Sequence, residues 1–154
     1  MAVPCRCRRG PFDVRALVGA MSLLAVLAGG CASAGPEKAL VIRRTEQFDR
    51  EVLQSGKPAL VLFSKQGCAP CAPLYGTMDR LACEYKARAV VAKFMALTFF
   101  FHAPAPELNA RYNICWVPTV ILFANGQPRR RWLCEYSIDT YRQALNEVLP
   151  PPSP

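Results

Sequence analysis

Apolar residues in this chain come in two arrangements that alternate along it: short continuous blocks, and residues recurring at three- and four-residue steps. Ala39–Ile42 is a brief block that predicts a first strand. Thr45 is placed to cap a helix over 46–54, in which Phe48 and Val52 share a face. Gly56 and Pro58 stop that helix, and Ala59–Phe63 follows as an unbroken apolar run, the pattern of a central strand covered on both faces. Leu74, Met78, Leu81 and Tyr85 predict a helix reaching about Lys86. The segment 89–97 reads as a strand, 99–106 as an unusually aromatic loop, and 107–112 as a short helix. Thr119–Phe123 is again strand-like, Asn125-Gly126 is a strong hairpin turn, and 129–136 is the returning strand. Asp139 is placed to cap a last helix with Tyr141, Leu145 and Val148 on one face, ended by Pro150-Pro151-Pro152. No internal repeat interrupts this α/β succession.

The first thirty residues do not share the pattern. Arg6, Arg8, Arg9 and Arg15 form a basic head, and 16–30 is uncharged and mostly apolar. That length suits a secretory signal and falls short of the ~20 apolar residues of a spanning helix. Residues 1–30 are therefore expected to be a signal peptide, 31–38 a tether, 39–149 the folded domain and 150–154 a proline-rich tail. Leu27-Ala28-Gly29-Gly30-Cys31 resembles a bacterial lipoprotein processing site, which makes Cys31 the expected lipidation residue. Cleavage after Ala34, or retention of the segment as an anchor, are the alternatives. All three place the remaining chain outside the cytoplasm, in the periplasm or cell envelope of a bacterium.

Charge changes this picture little. The formal charge is +8, but the basic head carries four arginines against one acid, Asp13. Arg129-Arg130-Arg131 lacks interleaved aromatics, so it reads as a solvated edge strand and not as a nucleic-acid site. Of eight cysteines, Cys5 and Cys7 fall in the signal and Cys31 at the lipid site. Cys68, Cys71, Cys83, Cys115 and Cys134 remain, an odd set unlike the even framework of a disulfide-stapled domain. Half a zinc site is the competing reading of Cys68-Ala69-Pro70-Cys71. It lacks a second such pair, and His102 is the sole histidine, so no metal is expected.

Three motifs fall in register on the predicted elements. Cys68-Ala69-Pro70-Cys71 lies between a strand and a helix, Trp116-Val117-Pro118-Thr119 leads into a later strand, and Phe123-Ala124-Asn125-Gly126 forms the last hairpin. With strands and helices in this order over 39–149, the chain resembles the thioredoxin family. The resemblance implies a thioredoxin fold, a central mixed β-sheet flanked by helices on both faces. It implies that Cys68 is the nucleophile at the helix N-cap and Cys71 the resolving thiol. Such a site lowers a cysteine pKa from ~8.5 into the range ~3.5–7.5. It also implies a cis proline at Pro118 opposite the pair, with Val117, Pro118 and Trp116 binding substrate. The redox-active disulfide is the only cofactor expected.

The chain departs from the family at three places. Leu62 stands where a buried acid usually handles the resolving thiol's proton, Gly67 where a tryptophan precedes the first cysteine, and Gly76 where the helix usually carries a proline. Cys115 and Cys134 are accessory thiols near the site, read as small half-buried side chains with a bond between them as an alternative. Cys83 is expected to fill core space, and Phe99 and Phe101 to point into the core. The expected function is thiol–disulfide exchange with cysteine-containing exported proteins, served by a membrane redox partner. A redox-inactive scaffold or metal-handling module with a structural Cys68–Cys71 bond is the alternative.

Overall fold

The computed structural model describes residues 38–97 and 105–149. The segment expected to be a signal peptide, Cys31, most of the expected tether, the Phe99–Phe101 cluster, His102 and the proline-rich tail lie outside the described residues. Strands β1 (Leu40–Ile42), β2 (Ala59–Lys65), β3 (Val90–Leu97), β4 (Thr119–Ala124) and β5 (Gln127–Leu133) form one sheet in the order β1-β3-β2-β4-β5. β1 and β2 run parallel to β3, whereas β4 is antiparallel to both β2 and β5, which makes the sheet mixed.

Among the described residues four α-helices cover the sheet. α1 (Thr45–Phe48) continues into a π-helical turn (Asp49–Leu53), where the Gln54 N–H donates to the Asp49 carbonyl at 2.9 Å. α2 is Ala72–Tyr85, α3 is Pro106–Arg111 and α4 is Ile138–Val148. Strand alternation sorts the core into two layers. Leu60, Leu62, Val120 and Leu122 face Leu74, Met78 and Leu81 of α2 and Tyr141 and Leu145 of α4. Val61, Phe63, Phe94, Ile121 and Phe123 face Phe48, Val52, Leu108 and Tyr112 on the other side. Each fully buried Leu or Phe contributes about 1.5–3 kcal/mol relative to exposure. The unbroken apolar run of β2 thus has a structural reason, since both of its faces are covered. Among the described residues no helix is long and apolar enough to cross a membrane.

The turn at Asn125 (φ 55°) and Gly126 (φ 70°) has both residues left-handed, the form that suits a two-residue hairpin. A Cβ added at Gly126 would lie 2.9 Å from the Leu53 carbonyl oxygen, so glycine also lets the hairpin seat against the end of the first helical segment. β5 is an exposed edge strand carrying Arg129, Arg130 and Arg131, as their run suggested.

Both expected caps are corrected. Thr45 is the first helical residue, with Arg44 at the N-cap, and its hydroxyl donates to the Glu107 carboxylate instead. Ser137 occupies the N-cap of α4, while the Asp139 carboxylate accepts from the Arg142 guanidinium at 2.7 Å. A distant side chain takes the Thr45 oxygen, and a neighbouring one on the same helix takes the Asp139 oxygen. Cys83 is corrected as well: it is exposed and fills no core space. Two residues beyond buried Leu81, it falls on the far side of α2.

Candidate active site

β2 ends at Lys65, and the chain turns through Gly67 at φ 70°. Glycine takes that left-handed backbone without the steric cost a tryptophan would meet, which accounts for the departure at this position. The Cys68 N–H closes the turn on the Lys65 carbonyl at 3.3 Å. Cys68 is then the extended N-cap of a 3-10 turn, Ala69–Cys71, with Pro70 in the first turn, where its missing N–H leaves no helical bond unmade. The Cys71 N–H donates to the Cys68 carbonyl at 3.1 Å, and α2 follows directly.

This backbone puts the two sulfurs 2.08 Å apart in a disulfide, with Cα atoms 5.2 Å apart. Cys68 retains 6% of its surface and Cys71 none. Solvent therefore reaches the bond from the Cys68 side, and the unpaired N–H groups of the first helical turn lie at the Cys68 end.

The second motif arrives from β4. Antiparallel pairing matches Phe63 with Thr119, so the end of β2 and the start of β4 share one pole of the sheet. Cys68 leaves that pole and Pro118 enters it. The Val117–Pro118 peptide is cis. The Thr119 hydroxyl donates to the Trp116 carbonyl at 2.6 Å, and the Cys134 N–H donates to the Pro118 carbonyl at 3.1 Å. Trp116 itself is 75% exposed.

Cys115 and Cys134 flank this loop, and the half-buried description is corrected: both are exposed free thiols. Cys115 precedes Trp116 on a surface turn, and its thiol donates to the Asn113 side-chain oxygen at 3.1 Å. Cys134 sits past the end of β5 in a left-handed backbone (φ 50°), which swings it off the strand. Partial desolvation and the neighbouring Cys134 thiol, with which it shares a hydrogen bond, push the Tyr136 hydroxyl above its ordinary pKa.

Two features escaped sequence reasoning. Leu133 and Tyr136, with Trp116, are three of the four exposed large hydrophobics among the described residues, and all three fall near Pro118 along the chain or the strand register. An aromatic two residues past Cys134 in a polar stretch was the available signal. The other feature is Lys93, which pairs with Leu62 across β2 and β3 and whose ammonium reaches Asp79 of α2 at 2.7 Å. Burial works to raise the Asp79 pKa. The hydrogen bond from Lys93, the Ala39 N–H, and the charges of Lys93 and Lys38 outweigh it and hold the carboxyl below the usual range. Leu62 is fully buried under α2, so position 62 offers no proton acceptor. Among the described residues no three His, Cys, Asp or Glu side chains assemble as a metal ligand set.

The family model described as Thioredoxin matches residues 39–147. Thioredoxin of Mycobacterium tuberculosis is 31% identical over 115 residues, covering 74% of this chain and 94% of its own length. Thioredoxin of Acidithiobacillus ferridurans is 34% identical over 82 residues, covering 53% of this chain and 70% of its own. Among solved structures, a point-mutant thioredoxin from Halobacterium salinarum NRC-1 superposes with a TM-score of 0.63 at 21% identity, over 79% of this chain and 99% of that one. That likeness concerns the fold, whereas the family model and the relatives concern descent: this chain belongs to the thioredoxin family.

Proposed function

We propose that the protein is a thiol–disulfide oxidoreductase acting on cysteines of exported proteins, with Cys68 as nucleophile and Cys71 as resolving thiol. One observation carries the reading: a disulfide at a strand-to-helix junction whose first cysteine keeps a solvent-facing surface and whose second is fully buried. In the reductive direction the Cys68 thiolate attacks one sulfur of a client disulfide. A Cys68–client bond forms, and the other client sulfur leaves as a thiolate that takes a proton from water. Cys71, deprotonated, then attacks the Cys68 sulfur. The Cys68–Cys71 bond forms and the second client thiolate leaves, so the client is reduced by two electrons and the protein oxidised by two. Run backwards, the same steps oxidise a client dithiol.

Val117, Pro118 and Trp116 are the proposed client-binding residues, with Leu133 and Tyr136 extending an apolar surface for an unfolded or extended client segment. The disulfide is the only redox group this chemistry needs. A membrane redox partner resets it in the bacterial cell envelope, where the basic, apolar N-terminus delivers the chain and Cys31 is the lipid attachment residue. No role with nucleic acid is proposed.

Burial of Leu62 in an apolar layer favours a second reading, a redox-inactive module whose Cys68–Cys71 bond is structural. Insulin reduction with dithiothreitol separates the two. Turnover by the wild type, its loss in Cys68→Ser, and a mixed disulfide trapped on Cys68 in Cys71→Ser support the enzyme. Wild-type turnover no faster than the uncatalysed rate, with no trapped species, refutes it.

A further inference from the structure

We infer that the pole of the domain opposite Cys68 is a cationic face that docks on an anionic lipid surface. The inference deepens the reading of an exported, membrane-tethered protein and rests on it. β1, β2 and β3 are parallel neighbours, so all three begin at one pole. Lys38 lies two residues before β1, Lys57 two before β2, and Lys86 and Arg88 just before β3. All four are exposed. Lys38, Lys57 and Lys86 line one cavity of about 180 Å³ with Leu40, Glu51 and Val90.

The acids facing this pole already have partners. Glu51 meets Arg50 at 2.9 Å, and Asp79, which feels Lys38, is bound by Lys93 at 2.7 Å. Glu84, at the end of α2, is held by Arg80 and Arg142, so the formal charges of the described residues here leave a positive excess that Lys38, Lys57 and Arg88 carry from three segments. These cations lie at the starts of adjacent strands, a spread of about 10 Å at ~4.8 Å per strand. That spread matches the Debye length of ~8–10 Å near physiological salt, so they act together on a charged plane.

Chain connectivity selects a membrane as that plane. The described chain begins at this pole with Lys38. The eight residues 31–38 that follow the apolar segment span at most about 29 Å when fully extended. The seven residues of β2 carry the chain roughly 23 Å from this pole to the end from which Cys68 departs. The tether joins the domain at this pole, so docking of the lysines on the bilayer that holds the N-terminus leaves the disulfide at the far end, facing clients.

The test uses the full chain bound to vesicles of phosphatidylcholine, or of phosphatidylcholine with about 30% phosphatidylglycerol. Lysine acylation is read by mass spectrometry, with exposed Lys65 at the cysteine pole as internal reference. On anionic vesicles Lys38, Lys57 and Lys86 should be acylated at least threefold more slowly relative to Lys65. About 1 M salt or neutral vesicles should abolish the difference. The variant K38Q/K57Q/K86Q/R88Q should lose at least tenfold of its partitioning onto anionic vesicles and keep its partitioning onto neutral ones. Equal acylation at both poles, or a variant that retains the anionic preference, overturns the inference. Cell fractionation checks the parent reading separately, because a cytoplasmic protein with an intact lysine footprint would refute export and leave the lipid-binding face standing.

Discussion

Replacing Leu62 with Asp restores the acid that the family usually places there, and its cost can be worked from the structure. Leu62 is fully buried, in the core layer that also holds Leu60, Leu74 and Met78. Losing its burial costs about 1.5–3 kcal/mol, and burying a carboxyl without full hydrogen bonding adds about 1–3 kcal/mol. The expected loss is ~3–6 kcal/mol, a large fraction of the ~5–15 kcal/mol typical of a domain. Lys93 lies directly across from position 62 in the adjacent strand but is held by Asp79. The new carboxylate must compete for that ammonium, so removing Asp79 should relieve the variant. Asp79→Asn should cost about 1 kcal/mol in the wild-type background, where it strands a largely buried ammonium, and close to nothing in the Leu62→Asp background. Urea midpoints of the four oxidised proteins close the cycle, with an expected coupling of at least ~1 kcal/mol. Additivity within ~0.3–0.5 kcal/mol would refute the placement of position 62 within reach of Lys93. The pH dependence supplies a second check. Burial raises the folded pKa of the introduced carboxyl above its unfolded value of ~3.9, so between the two the native state holds the extra proton and stability falls as pH rises. The penalty should be smaller at about pH 5 than at pH 8, and insulin reduction by the variant should gain a new acid limb in its pH profile, because only the ionised carboxylate can take the Cys71 proton.

Further outcomes follow from the same fold. Gly126→Ala meets a left-handed backbone and a carbonyl 2.9 Å from the new Cβ, so it should destabilise by about 2–4 kcal/mol in urea denaturation. Gly76→Ala, inside α2 with open space around it, should instead stabilise by about 0.5–1 kcal/mol. The Asp79 carboxyl, held low by Lys93, contributes stability that is present above its unfolded pKa of ~3.9 and lost as pH falls through the lower folded value. Asp79→Asn should therefore flatten the acid limb of a stability–pH curve. In the oxidised, folded protein a maleimide should label Cys83, Cys115 and Cys134 within minutes and leave Cys68 and Cys71 unlabelled, as tryptic peptide masses would show. Protection of Cys134 would contradict its exposed position beside Pro118.

What the sequence determined on its own was local in origin. The alternation of continuous and helical-period apolar runs fixed the order of strands and helices, because burial on one or both faces of an element writes its own period into the chain. Asn125-Gly126 specified its turn through backbone sterics alone. Two cysteines three apart at a strand-to-helix junction brought their sulfurs together without help from distant residues. The tertiary structure decided what depends on partners far along the chain. Thr45 gave up its capping role because Glu107, far along the chain, takes its hydroxyl. Cys83, Cys115 and Cys134 are exposed because helix phase and a left-handed turn set their direction, which composition does not record. Lys93 found Asp79 because α2 packs across β3, and cations from three segments gathered at one pole because parallel pairing of β1, β2 and β3 aligns their starting ends. Spacing along a chain controls contacts within a turn or two; beyond that, strand pairing and packing choose which side chains meet.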